Sequence, residues 1–199
     1  MLRVGLTGGL ACGKTTVLEM LRGLGAATIS ADAIVHDLLE SDHCVRESIR
    51  REFGEGVFDE AGRVDRALVA DIVFRDDGAR RALEAILHPE VRRRILKWMD
   101  RSEAEGRAVA VAEVPLLFEA GLEGDFDCTV AVTAEHPEQL NRLSNRMPSR
   151  DVERRIAAQM PAEERARRAD FVVANSGSLE ELRERVGELW SALQARAHR

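Results

Sequence analysis

The segment from Gly8 to Thr16 combines residue types that bind a nucleoside triphosphate. It follows the apolar run Val4 to Leu6 and fits the phosphate-loop pattern G-x-x-x-x-G-K-[ST]. In that pattern backbone N–H groups surround the β-phosphate, the ammonium meets the β and γ oxygens, and the hydroxyl binds Mg²⁺. The pattern therefore predicts a triphosphate and magnesium site formed by Gly8, Gly9, Ala11, Cys12, Gly13, Lys14, Thr15 and Thr16.

The scarcity of lysine makes the lysine of this loop informative. Among 29 basic residues only Lys14 and Lys97 are lysine, and Lys14 occupies the lysine position of the pattern. An ammonium is a compact point charge, whereas a guanidinium is planar and bulkier, so the loop gives a physical reason to keep lysine here. The alternative interpretation is an ordinary Gly-rich turn before a helix.

Two acids follow or end predicted strands. Asp32 is a candidate general base, because a carboxylate there can accept the proton of an attacking hydroxyl or hold a metal-bound water. Its alternative role is the N-cap of a helix that begins at Ala33. Glu113 ends the apolar run Ala108 to Ala112 and is a candidate for ordering Mg²⁺; the alternative is a partly exposed acid at a strand end.

An arginine-rich stretch predicts a lid over the phosphates. Arg142 and Arg146 are four residues apart and share a face of a predicted helix, and Arg150, Arg154 and Arg155 follow. Arginines that close over a γ-phosphate stabilise its developing charge and exclude water. A solvated charge run remains the alternative, since the same stretch carries Glu138, Asp151 and Glu153.

Short apolar runs predict the strands that position these groups. Continuous rather than alternating apolar character is typical of parallel strands covered by helices on both faces, so we predict an α/β fold with a doubly wound, five-stranded sheet. Ligands bind at the carboxyl ends of such strands, which would bring the loop, Asp32 and Glu113 to one edge. The predicted strands are 3–7, 27–29, 108–112, 128–133 and 171–174.

The remaining chain is predicted to be helical within one domain. A core of about residues 1–32, 106–135 and 169–199 would carry an acceptor-binding insertion of about residues 33–105 and a lid of about residues 136–168. We predict that Pro89 lies in the first turn of a new helix, so that His88-Pro89 interrupts the insertion. Other predicted helices are 45–53, 66–74, 79–87, 90–99 and an amphipathic helix 178–196 with Leu182, Val186, Leu189 and Leu193 on one face.

Composition excludes several function classes. A net charge of −6 argues against non-specific attraction to nucleic acid or membranes, and no apolar run approaches the roughly 20 residues of a membrane span. With an N-terminus that enters a strand rather than a signal segment, this predicts a cytoplasmic location. Cys12, Cys44 and Cys128 are odd in number and widely spaced, which favours reduced thiols over disulfides or a zinc site. Cys12 is either a small loop residue or, beside a helix N-terminus, a reactive thiol.

Several separated motifs, taken together, resemble the dephospho-coenzyme A kinase family over nearly the whole chain. The phosphate loop is generic, whereas the segments Val114 to Glu119 and Asn175 to Ser178 are much more specific. The quoted motifs are Val4 to Gly9 with Gly13 to Thr16, Ala31-Asp32, Leu87-His88-Pro89, Val114 to Glu119, Gln139 to Leu143 with Arg146, Arg155-Ile156 with Gln159, Ala169-Asp170, and Asn175 to Ser178.

The resemblance implies a P-loop kinase related to the nucleoside monophosphate kinases. It implies transfer of the γ-phosphoryl group of ATP to the ribose 3′-hydroxyl of dephospho-CoA, giving ADP and CoA. Asp32 would then be the base, with Lys14 and Arg142 also catalytic. His88, Pro89 and Leu116 would help to build the acceptor site, and Asn175 and Gly177 would lie beside adenine.

Three positions depart from the family pattern, and two rival functions stay open. The family usually has Gly-Ser where this chain has Ala11-Cys12, and a further aspartate where this chain has Ser30. If the position of Ala11 needs a positive φ, its Cβ adds strain of roughly 1 kcal/mol. The rivals are a kinase for another small acceptor, such as a nucleoside monophosphate, and a nucleotide-binding protein that has lost catalysis.

Overall fold

The computed structural model describes residues 1–143, 156 and 159–198. They form two compact units, one made of Met1–Ser30 with Met99–Arg199 and one made of Ala31–Trp98. The second unit falls almost wholly within the insertion predicted at residues 33–105.

The first unit is built on a five-stranded sheet. All neighbouring strands are parallel, in the order β2-β3-β1-β4-β5. The predicted α/β class and the five predicted strands are confirmed. The strands are β1 (Leu2–Gly8), β2 (Ala27–Ser30), β3 (Val109–Glu113), β4 (Cys128–Thr133) and β5 (Phe171–Ala174).

Helices connect these strands and form the second unit. In chain order they are α1 (Lys14–Gly23), α2 (Ala31–Ser41), α3 (His43–Phe53), α4 (Arg66–Arg75), α5 (Asp77–Ala104), α6 (His136–Leu143), α7 (Ala162–Arg168) and α8 (Leu179–Ala197). Single 3₁₀ turns occupy Glu55–Val57 and Glu123–Asp125. No helix in the described part of the chain is long and apolar enough to cross a membrane.

The main core lies where α1 and α8 cover the sheet. Apolar residues of β1, β3 and β4 cluster with Val17 and Leu21 of α1 and with the inward face of α8. That face consists of Leu182, Val186, Leu189 and Leu193, all buried as predicted. Helix α8 begins with a capping box in which Ser178 and Glu181 satisfy each other's backbone N–H groups, so the start of this helix is fixed locally.

The prediction that Pro89 starts a new helix is wrong. Helix α5 runs unbroken through His88 and Pro89, which lies inside it. Proline removes one backbone donor, but Leu87, Val91 and Ile95 are spaced four apart and all buried, so packing holds one continuous helix face across it.

In the second unit, aspartates fix the starts of helices. Asp42 caps α3 by accepting from the N–H of Val45 at 3.2 Å, and Asp65 caps α4. Arg94 of α5 pairs with Asp42 at 3.1 Å and also with Asp37 of α2. This arginine therefore joins three helices of the unit.

Candidate active site

The predicted phosphate loop connects β1 to α1. Gly8 is the last residue of β1, and α1 begins at Lys14 with Gly13 as its N-cap. Glu113 is in register with Leu6 of β1 and with Ser30 of β2. The carboxyl ends of these three strands therefore lie side by side, and the first turn of α1 directs backbone N–H groups into the same region.

Two loop residues have left-handed backbone conformations. Ala11 has a φ of 56°, the one positive φ at a non-glycine residue in the described chain, which confirms the conformation expected of a position normally held by glycine. Gly13 has a φ of 90°, and a Cβ there would lie 2.2 Å from Asn175 Nδ2. Only glycine fits at residue 13, because the asparagine amide occupies the space of any side chain.

Four polar side chains from the C-terminal part of the chain hold the tip of the loop. We call Gln139, Arg142, Gln159 and Asn175 the loop collar. Asn175 Nδ2 donates to the carbonyl oxygen of Cys12 at 2.8 Å. Gln159 Oε1 accepts from the N–H of Leu10 at 2.9 Å. The collar thus fixes the loop backbone on both sides of Ala11.

The other two collar residues, Arg142 and Gln139, contact Ala11 and Cys12 at the tip of the loop. Arg142 donates to the carbonyl oxygen of Ala11 at 3.1 Å and to that of Asn175 at 2.9 Å, and it pairs with Glu138 at 2.8 Å. Gln139 Nε2 donates to Cys12 Sγ at 2.8 Å, and both side chains are buried. Cys12 is 1% exposed, which favours the small-loop-residue interpretation over that of a reactive thiol.

Lys14 reaches back across the loop. Its Nζ donates to the carbonyl oxygen of Gly9 at 3.0 Å. This places the ammonium within the ring of loop backbone, where the pattern predicts β- and γ-phosphate oxygens.

The side chains of Thr15 and Glu113 place two kinds of oxygen atom next to each other. Thr15 Oγ1 donates to Glu113 Oε1 at 3.4 Å, and Glu113 is 3% exposed. Hydroxyl and carboxylate oxygens suit Mg²⁺, which completes its octahedron with water and phosphate oxygens rather than with a cage of side chains. The two residues therefore fit the predicted magnesium role.

The remaining predicted site residues are distributed over both units. Asp32 is exposed in the first turn of α2, so its role as an N-cap is wrong: the helix already begins at Ala31. His88 and Pro89 also lie in the second unit, whereas Leu116 is half-buried just after β3. Thr16 is exposed in α1, and Gly177 is exposed immediately before the N-cap of α8. The lid arginines lie outside the described residues: Arg146, Arg150, Arg154 and Arg155.

Sequence reasoning did not single out three residues that contact or approach the loop. Gln139 is a polar residue on the buried face of α6, four positions before buried Leu143, and that misplaced polarity was a usable signal. Gln159, like Gln139, appears only as part of a family motif. Arg165 belongs to a run of charged residues, yet its side chain is 2% exposed and pairs with Glu119 at 3.1 Å.

Comparison with known proteins decides the family. A family model described as dephospho-CoA kinase matches residues 2–181. The chain belongs to the dephospho-CoA kinase family. The dephospho-CoA kinase of Symbiobacterium thermophilum is 47% identical, with 95% of this chain and 80% of that protein covered. The dephospho-CoA kinase of Aquifex aeolicus is 39% identical, with 97% and 98% covered.

Solved structures agree with the family assignment. Dephospho-CoA kinase from Campylobacter jejuni has a TM-score of 0.73 and 28% identity over 97% of each chain. A shikimate kinase from Bacteroides thetaiotaomicron, at 16% identity and a TM-score of 0.51 with 97% of this chain and 98% of that one covered, shows the shared kinase fold alone. The predicted family, P-loop kinase fold and dephospho-CoA kinase activity are confirmed. This activity is the final step of coenzyme A synthesis, as predicted.

The cysteines have no disulfide partners. All three are free thiols, with Cys12 and Cys128 buried and Cys44 exposed. Burial raises the pKa of the Cys128 thiol to about 11, so this group stays protonated and unreactive at neutral pH.

Proposed function

We propose that this dephospho-CoA kinase binds ATP with Mg²⁺ at the loop from Gly8 to Thr16 and passes the γ-phosphoryl group to the ribose 3′-hydroxyl of dephospho-CoA. One observation carries the proposal: Lys14 and Thr15 enter α1 beside buried Glu113, while the collar holds the loop tip in a left-handed turn. Such a loop offers its N–H groups to phosphate oxygens with little rearrangement on binding.

Thr15 and Glu113 would hold the magnesium ion. Thr15 would bind the ion directly through its hydroxyl, and Glu113, buried and hydrogen-bonded to that hydroxyl, would orient the threonine or a bound water. When bound, Mg²⁺ neutralises β- and γ-phosphate charge. Lys14 would exchange its bond to Gly9 for a bond to these oxygens.

The collar would form the adenine side of the nucleotide site. Arg142 and Asn175 meet at the loop tip, with Gly177 two residues further along. The sequence predicts Arg142 in a lid over the γ-phosphate, but its contacts with Ala11 and Asn175 favour a position beside the loop and the base. Arg146 remains the predicted phosphate contact of the lid.

The second unit would hold the acceptor. It contains a cavity of about 430 Å³ whose lining includes His36, Arg63 and Val64. His36 lies one turn after Asp32 on α2, so an acceptor seated in this unit can present its hydroxyl to the Asp32 carboxylate. Asp32 would take the hydroxyl proton as the phosphoryl group transfers. His88, Pro89 and Leu116 remain the predicted acceptor contacts.

A comparison of acceptors tests this proposal. The purified chain is given ATP and Mg²⁺ with dephospho-CoA, adenosine or a nucleoside monophosphate, and phosphorylated product and ADP are measured. We expect phosphorylation of dephospho-CoA at its 3′-position to be fastest. Brisk turnover of a nucleoside monophosphate without turnover of dephospho-CoA would favour the rival acceptor, and nucleotide binding without any turnover would favour a catalytically reduced protein.

We also propose that the protein is cytoplasmic, and the three free thiols support this location.

A further inference from the structure

A buried arginine outside the predicted site approaches the phosphate loop from the C-terminal part of the chain. Arg165 lies in α7, and its side chain is 2% exposed. A Cβ placed on Gly9 would lie 3.5 Å from Arg165 Nη1, so the guanidinium packs beside the Cα of this loop residue. The ammonium of Lys14 contacts the carbonyl oxygen of the same glycine. Two cations therefore flank Gly9.

Arg165 forms one ion pair, but its hydrogen-bonding capacity is only partly used. Its Nη2 donates to Glu119 Oε1 at 3.1 Å, but that same oxygen also accepts from the N–H of Met160 at 3.1 Å. Arg165 Nε is buried and has no hydrogen-bond partner among the described residues. Burying a guanidinium with an unpaired N–H is costly, so the position of Arg165 calls for a physical explanation.

We propose that Arg165 is a positioning residue for the triphosphate. Glu119 holds the guanidinium against Gly9, where it supports the start of the loop tip and adds fixed positive charge next to the Lys14 end of the nucleotide site. In a buried setting this charge acts on phosphate oxygens with little screening by water. The proposal rests on nucleotide binding at the loop but is independent of which acceptor is phosphorylated.

Arg168 provides a matched control on the same helix. It lies three residues after Arg165, pairs with Glu123 and stacks over the Phe118 ring at 4.7 Å. Like Arg165, it ties α7 to the segment after β3. None of the contacts described for Arg168 reaches the phosphate loop. Its substitution therefore measures the effect of losing an α7 contact without losing support of the loop.

The experiment compares Arg165→Met, Arg165→Lys and Arg168→Met with the wild type. Calorimetry measures the Kd of ATP and ADP, thermal unfolding measures stability, and steady-state kinetics separate the KM for ATP from the KM for dephospho-CoA. For Arg165→Met we expect about tenfold or greater weakening of ATP binding, with the KM for dephospho-CoA unchanged and partial recovery in Arg165→Lys. Arg168→Met should lower the Tm and leave the ATP Kd unchanged.

Three results with the single variants would overturn the proposal: an unchanged ATP Kd in Arg165→Met, equal weakening in Arg165→Met and Arg168→Met, or no recovery in Arg165→Lys despite wild-type Tm. A double variant separates charge from packing. Arg165→Met with Glu119→Met replaces the ion pair by apolar side chains; if this double variant regains wild-type ATP affinity, the role of Arg165 is structural only. Failure of the wild type to phosphorylate dephospho-CoA would contradict the acceptor assignment while leaving the ATP-binding comparison fully informative.

Discussion

Arg142 donates a hydrogen bond to the carbonyl oxygen of Ala11, the residue that carries the left-handed backbone at the tip of the phosphate loop. A Cβ in this region costs roughly 1 kcal/mol relative to glycine. The conformation persists because the loop is held on each side, by Gln159 at Leu10 and by Asn175 at Cys12. The strain therefore belongs to a loop whose shape is set by groups that lie far away in the sequence.

Ala11→Gly tests whether this strain is present in solution. Glycine relieves the Cβ strain but also increases the entropy of the unfolded chain, so we expect the free energy of unfolding to stay the same or rise by up to about 1 kcal/mol. Chemical denaturation measures this change, and the KM for ATP should be unaltered. The control is Ala70→Gly in exposed α4, expected to cost about 1 kcal/mol. An equal loss in both variants would contradict a left-handed Ala11.

Asn175→Ala tests the collar. The substitution removes the donor that satisfies the Cys12 carbonyl, and we expect a loss of about 1–3 kcal/mol in unfolding free energy together with a raised KM for ATP. Thr129→Val is the control, because it removes the partly buried hydrogen bond of Thr129 Oγ1 to Asp170 in the same unit, away from the loop. It should lower stability without changing the KM for ATP. If both variants change only stability, the collar has no role in nucleotide binding.

The sequence predicted those parts of the site that are encoded locally. The phosphate loop is a contiguous pattern, and the strands that carry Glu113 and precede Asp32 are apolar runs, so both followed from neighbouring residues. The collar did not, because Gln139 and Asn175 meet Cys12 across 127 and 163 residues of chain. Contacts of that separation depend on the finished sheet order.

The continuity of α5 was mispredicted because a local backbone preference was outweighed by packing. The restricted backbone at Pro89 favoured a helix start, which is a correct local preference. Burial of Leu87 and Val91 on one face outweighs the single lost hydrogen bond, and the helix continues.

The burial of Arg165 could not be predicted from its neighbours either. Its run of charged neighbours is typical of a solvated face, and only packing against Glu119 distinguishes it.

Glu113→Gln tests the magnesium ligands. Loss of the carboxylate charge next to the Thr15 hydroxyl should raise the Mg²⁺ concentration needed for half-maximal turnover by about tenfold or more. Affinity for ATP measured in EDTA should not change, since the loop and Lys14 remain. Titration of activity with Mg²⁺ and calorimetry without it provide the two values. An unaltered Mg²⁺ requirement would exclude Glu113 from metal binding.

Asp42 makes stability dependent on pH. The hydrogen bond that Asp42 accepts from the Val45 N–H is the main cause of a lowered carboxyl pKa in the folded state. The pairing with Arg94 lowers this pKa further, and partial desolvation opposes both effects. The stabilising contribution of Asp42 is therefore complete above the pKa of the unfolded state, about 3.9, and is lost as pH falls through the lower folded value. Asp42→Ala should cost about 1–2 kcal/mol at pH 7, and urea denaturation should show this difference shrinking in acid. A difference that is constant from pH 7 to pH 3 would contradict this account.

Asp32→Asn tests the proposed base. The amide keeps the size of the side chain in the first turn of α2 but cannot accept the acceptor's proton, so we expect turnover to fall by about 10² or more. ATP binding should be spared, because the loop, Thr15 and Glu113 belong to the other compact unit. The matched control is Asp37→Asn on the same helix, where the aspartate pairs with Arg94 and has no proposed part in transfer. A large loss of kcat in Asp32→Asn alone, with unchanged Kd for ATP, identifies a group needed for the chemical step; equal kcat in wild type and variant would remove Asp32 from the mechanism.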